Sequence, residues 1–89
     1  MIAGWVALRG GGYCRAKLEV GENGRSYIPK WSRMQAPHVM PDGWGGGWVA
    51  LDGSPEAWPF PNRLVEGVVF PTAEAAMVAA EVELANRQP

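Results

Sequence analysis

Glycine and proline punctuate this 89-residue chain from end to end, twelve of one and eight of the other. Each Gly loosens the backbone and each Pro removes a donor, so long regular elements are excluded wherever they recur. One stretch escapes them. After Pro71, the segment "TAEAAMVAAEVELANR" runs through strong helix formers without a break. Thr72 is placed to cap it, and Glu74 sits in the first turn, where the helix dipole favours a negative charge. The spacing predicts two apolar stripes, Ala73, Met77, Ala80 and Leu84 on one side and Ala75, Val78, Val82 and Ala85 on the other. A helix lying on a sheet needs one stripe. The second is open to cover by the long loops or by another chain, such as a second copy in a homodimer.

The remaining segments read as short strands and turns. "AGWVAL" is rich in β-favouring residues and closes in "RGGG", whose glycines suit a hairpin. "YCRAKLEV" alternates: Tyr13, Arg15, Lys17 and Glu19 fall on one face, Cys14, Ala16, Leu18 and Val20 on the other. A half-buried strand with its charged face in water is expected. "GENG" is a turn, "RSYI" a third strand ended by Pro29, and "KWSRMQ" one or two helical turns. "APHVMPDGWGGG" reads as a loop, "GGWVAL" as a strand, and "DGSPEAWPFPN" as an extended Pro-rich link. "RLVEGVVF" reads as a strand with Gly67 at a bulge. The expected fold class is therefore α+β, a small mostly antiparallel sheet with one C-terminal helix packed on one face. Residues 1–89 form a single domain, since a chain this short cannot support two cores.

"GWVALRG" at 4–10 and "GWVALDG" at 47–53 differ at one residue. The match, together with the Pro that precedes each helix-forming stretch, admits a degenerate duplication of 1–45 and 46–89. Strand alternation sets Trp5 with Ala7 and Trp48 with Ala50, so both indoles are expected in the core beneath the helix.

Charge divides unevenly. Six basic residues face three acidic ones through Gly45, whereas two basic face six acidic from Gly46, for a net of −1. Such a split suits a basic surface for nucleic acid, an acidic surface for a basic partner, or head-to-tail self-association.

No catalytic constellation emerges, and the chain reads as a non-enzyme. His38 is the single histidine and Cys14 the single cysteine, too few for a zinc site, and no metal or cofactor is expected. A Cys14–His38 nucleophile pair is formally open, but Cys14 lies on an apolar strand face, where a buried inert thiol is expected, and His38 reads as a solvated loop residue. Ser26, Ser32 and Ser54 occur in no nucleophile elbow, and "GWGGGW" lacks the Lys-Ser/Thr ending of a phosphate loop. A solitary cysteine fits a reducing, cytoplasmic setting. No apolar run is long enough to span a bilayer, and the N-terminus shows no signal-peptide pattern.

Two binding surfaces remain. One comprises acidic residues and loop tryptophans, Asp42, Trp44, Asp52, Glu56 and Trp58, with Glu74 and Glu81 on the helix, suited to a protein partner. The other is basic and aromatic, Arg15, Lys17, Arg25, Tyr27, Lys30, Trp31 and Arg33, suited to single-stranded nucleic acid. The tail "GGWVALDG…VVFPTAEAAMVAAEVELA" resembles short phage- and prophage-encoded α+β proteins, in which a Gly-Trp strand and a second strand lead through a Thr-Ala-Glu-Ala-like cap into an Ala-rich helix. That resemblance implies a non-enzymatic inhibitor of the anti-CRISPR kind, which occupies a surface of a host nucleoprotein complex and mimics nucleic-acid charge with its acidic half. The alternatives are a nucleic-acid-binding module and a structural, oligomer-forming phage protein.

Overall fold

The computed structural model describes residues 2–16, 18–29, 36–43, 45–53 and 62–87. Their order is β1 (Trp5–Ala7), β2 (Tyr13–Arg15), β3 (Glu19–Val20), β4 (Ser26–Tyr27), β5 (His38–Pro41), β6 (Trp48–Leu51) and α1 (Ala73–Arg87). The fold is α+β. Four strands form an antiparallel sheet in the order β1-β2-β5-β6, and β3 and β4 form a separate two-stranded ribbon.

The first hairpin forms because Gly10, Gly11 and Gly12 all hold positive φ, at 104°, 90° and 120°, which other residues adopt only at a cost. Leu8 N–H donates to the Gly12 carbonyl at 2.9 Å, and Gly11 N–H donates to the Leu8 carbonyl at 3.3 Å. Register then fixes the faces. Trp5 lies opposite Arg15 and Ala7 opposite Tyr13, while Val6 lies opposite Cys14. Directly opposed residues share a face, so Tyr13 and Arg15 join Trp5 on the helix side and Cys14 goes to the reverse. The expected solvent face of "YCRAKLEV" is thereby corrected. Tyr13 is half-buried and stacks at a tilt on Trp48, with ring centroids 5.9 Å apart.

That segment is not one strand either. Its ladder ends where Ala16 N–H donates to the Gly4 carbonyl, and Glu19–Val20 pairs only with β4. Leu18 and Val20 leave the core, 52% and 71% exposed. The alternation is genuine, but the chain leaves the sheet before it can use the second half.

His38–Pro41, expected within a loop, is an inner strand between β2 and β6. Asp42 N–H donates to the Gly47 carbonyl at 2.7 Å. Alternation along this hairpin makes Met40–Val49 and His38–Leu51 the bonded pairs. Pro41 therefore falls at a non-bonded position, and its missing donor removes no rung toward β6.

The expected strand over 63–70 is instead a looped return along the free side of β6. Leu64 N–H donates to Ala50 O at 2.9 Å, and Trp48 and Phe70 exchange both hydrogen bonds at 2.8 Å. Only Arg63 and Phe70 form bridges, to Leu51 and Trp48. Gly67, at φ 73°, turns the chain between them and marks no bulge.

Helix α1 starts as its sequence dictates. Ala75 N–H donates to Thr72 Oγ1 at 3.1 Å, which satisfies one of the orphan donors of the first turn. Ala73, Ala76, Met77 and Ala80 are buried against Trp5, Val39, Ala50 and Leu64, with Tyr13, Trp48, Phe70 and Leu84 packed around them. Both tryptophans face this core, Trp5 at 4% exposure and Trp48 half-buried. Residues of 1–45 and of 46–89 thus build one core between them.

Candidate functional site

The described members of the acidic set do not gather into one patch. Asp42 sits at the turn of the β5–β6 hairpin and Asp52 at its open end, so the two flank opposite ends of β6. Arg87 lies 4.0 Å from Asp52, donates from Nε to Glu83 Oε1 at 3.0 Å, and reaches the Leu64 carbonyl at 3.3 Å. Glu81 is engaged inside the chain. Its Oε1 accepts the Trp5 indole N–H at 3.0 Å and the Arg15 guanidinium at 2.7 Å. One carboxylate thus ties the helix to the first hairpin. Glu74 is exposed in the first turn of α1. Trp44, Glu56 and Trp58 lie outside the described residues.

The basic set is divided as well. Arg15 is spent on Glu81. Arg25 and Tyr27 lie on the ribbon, and Tyr27 Oη donates to Glu19 Oε2 at 3.3 Å across the ribbon's two strands. Lys17, Lys30, Trp31 and Arg33, with the helical turns expected over "KWSRMQ", lie outside the described residues. No continuous aromatic-basic sheet face is built from the residues described.

His38 and Cys14 come together in a way the sequence did not indicate. They are directly opposed in β5 and β2, on the face turned away from α1. Cys14 is fully buried, as the alternation of its segment suggested. His38 is half-buried and not a solvated loop residue. Burial lowers its imidazole below the ordinary histidine value, and a hydrogen bond to the Ala36 carbonyl partly offsets that effect. A thiol with no exposure offers no nucleophile to a substrate in this conformation. Among the described residues, no group of three His, Cys, Asp or Glu could hold a metal ion, and no helix is long and apolar enough to cross a membrane.

Among the described residues, α1 carries an apolar stripe left open by the sheet. The stripe of Ala75, Val78, Val82 and Ala85 faces away from the sheet, with Val78 53% and Val82 56% exposed. Their spacing of three, four and three residues is that of a coiled-coil seam. Glu74 and Glu81 border it on the side toward β1. Two further apolar features escaped the sequence reading. One is the ribbon face carrying Leu18 and Val20, which was hidden by reading both residues into a core strand. The other is the outer edge of β1, signalled by the absence of any charge or proline from Ile2 to Leu8.

These features define an α+β module that, among the described residues, carries an outward apolar stripe on α1 and an open edge on β1. Compared with family models, curated proteins and solved structures, the chain matches none.

Proposed function

We propose that this chain is a non-enzymatic binding protein that docks on a protein partner through the outward stripe of α1. The observation that carries this reading is that α1 is apolar on two sides and packed on one. Solvated helices ordinarily turn a polar face outward, whereas this one presents Ala75, Val78, Val82 and Ala85. Glu74 at the rim favours a basic neighbour, in keeping with the acidic C-terminal half. The resemblance of the tail to short phage-encoded inhibitors extends the proposal to the kind of partner. That partner is a host nucleoprotein complex in the cytoplasm, whose nucleic-acid-binding surface the acidic edge of the helix would occupy.

The test is a photo-crosslinking residue at position 82, with the same residue at Arg9 as control, in host-cell lysate. Crosslinking of one nucleic-acid-binding protein at 82 alone, lost on Val78→Glu, supports the proposal. Binding of labelled single-stranded or duplex oligonucleotides that weakens with salt, is lost on Arg25→Glu and survives Val82→Glu would overturn it in favour of a nucleic-acid module.

A further inference from the structure

The two edges of the four-stranded sheet are treated differently. The β6 edge is covered by the return of 62–70, which bonds to residues 48, 50 and 52. The β1 edge has no such cover among the described residues. Ala16 N–H donates to Gly4 O at 3.1 Å and Leu8 N–H to Gly12 O at 2.9 Å. Alternation makes Val6–Cys14 the bonded pair between them, which turns the backbone groups of Trp5 and Ala7 outward. Natural edges are usually blunted by a charge, a proline or a bulge. From Ile2 to Leu8 there is no charge and no proline, and the register of β1 against β2 runs without a bulge.

We propose that the outer edge of β1 pairs with the same edge of a second copy, joining two sheets into one antiparallel eight-stranded sheet. A two-fold axis at Val6 sets Trp5 opposite Ala7 of the second copy. The outward N–H and C=O groups of each pair then meet, for four hydrogen bonds in all. Side-chain size agrees with this register, since the bulky indole faces an exposed methyl on the helix side of both sheets. Beside the C-terminal end of β1 an open cleft of about 420 Å³ is lined by Ala7, Leu8, Arg9 and Ile28. Ala3 and Gly4 of the second copy, which are small, fall at that cleft. Arg9 faces Ala3, so like charges do not meet. A charged foreign peptide finds nothing to select it along this edge, whereas a second copy matches it group for group. A pairing this short gives a weak dimer that forms with concentration.

Sedimentation velocity over a concentration series tests the proposal. The native chain is expected to pass from monomer to dimer. Ala7→Pro removes only an outward donor and leaves every β1–β2 rung, so it is expected to remain monomeric. Ala7→Lys keeps the backbone and adds a repelling charge at an exposed site, with the same expected result, and unchanged far-UV circular dichroism shows that both variants are folded. A native chain that stays monomeric at the highest concentration would overturn the proposal. So would a dimer that survives both substitutions, including one that dissociates on Val82→Glu, which would place the contact on the helix.

Discussion

At Gly53 the backbone leaves no room for a side chain. A Cβ there would overlap the Ala36 carbonyl and sit 3.1 Å from the Ala36 nitrogen. Backbone cannot swing aside as a side-chain tip can, so Gly53→Ala is expected to destabilise the fold by about 3 kcal/mol, measured by urea unfolding. Gly47 is confined in the same manner by Val69 and the Phe70 carbonyl. Their counterparts in the first heptad differ, since Gly4 and Gly10 have open space around them and hold positive φ, at 89° and 104°. The repeated glycines therefore answer two separate demands, close approach in one copy and turn geometry in the other. That difference cannot be read from identical letters. His38 illustrates the same limit, because nothing local to "APHVMP" reveals that Cys14 lies opposite it. Its lowered pKa gives a signed expectation. The unfolded chain takes up the proton more readily, so stability falls as pH drops below about 6.5 toward the folded-state value. Chemical denaturation at pH 7.5 and 5.5 should show this loss, and His38→Gln should flatten it.

Among the elements, α1 was the most legible because its signals are local. Thr72, the run of helix formers and the absence of Gly and Pro all lie within the segment they specify. Thr72→Ala is expected to cost about 1 kcal/mol, read as a lower thermal midpoint of the helical signal, and Thr72→Asp to restore most of it. The hairpin turns at Gly10–Gly12 and Glu22–Gly24 were legible for the same reason, as short glycine-bearing motifs. β5 was not. Pro37 and Pro41 argue for a loop, and only the hydrogen-bond phase set by Asp42 and Gly47 makes Pro41 harmless. The strand's justification therefore lies in its partner. "YCRAKLEV" was legible in part: its alternation and the burial of Cys14 hold, whereas Tyr13 and Arg15 lie on the helix side of the sheet and Leu18 and Val20 are exposed. Register against Trp5 decides the faces, and register is a property of the pair. The candidate site divides along the same line. The outward stripe of α1 was visible as periodicity, whereas the engagement of Glu81 by Trp5 and Arg15 depends on contacts between residues 66 and 76 positions apart.

Across the whole molecule, the two halves of unlike charge are joined at one described point. Arg15 of the first half and Glu81 of the second meet in one ion pair at 2.7 Å, and the same carboxylate accepts from Trp5. The repeated heptads behave likewise. β1 and β6 lie at the two ends of a single strand order, with β2 and β5 between them, and both tryptophans serve one core under one helix. Residues 1–45 contain Trp5 and Val39 but, among the described residues, no helix to cover them. Residues 46–89 contain the helix but lose most of the sheet it lies on. Chains this short seldom fold alone without a disulfide or a metal. Each half made separately is therefore expected to lack a cooperative thermal transition. An equimolar mixture should regain helical signal, because β5 can still pair with β6 and Glu81 can still reach Arg15. A cooperative transition in residues 46–89 alone would mean that the second half carries its own core, as an intact duplicated unit would. The packing argues otherwise, since Met77 and Ala80 are fully buried only in a core that the first half helps to build.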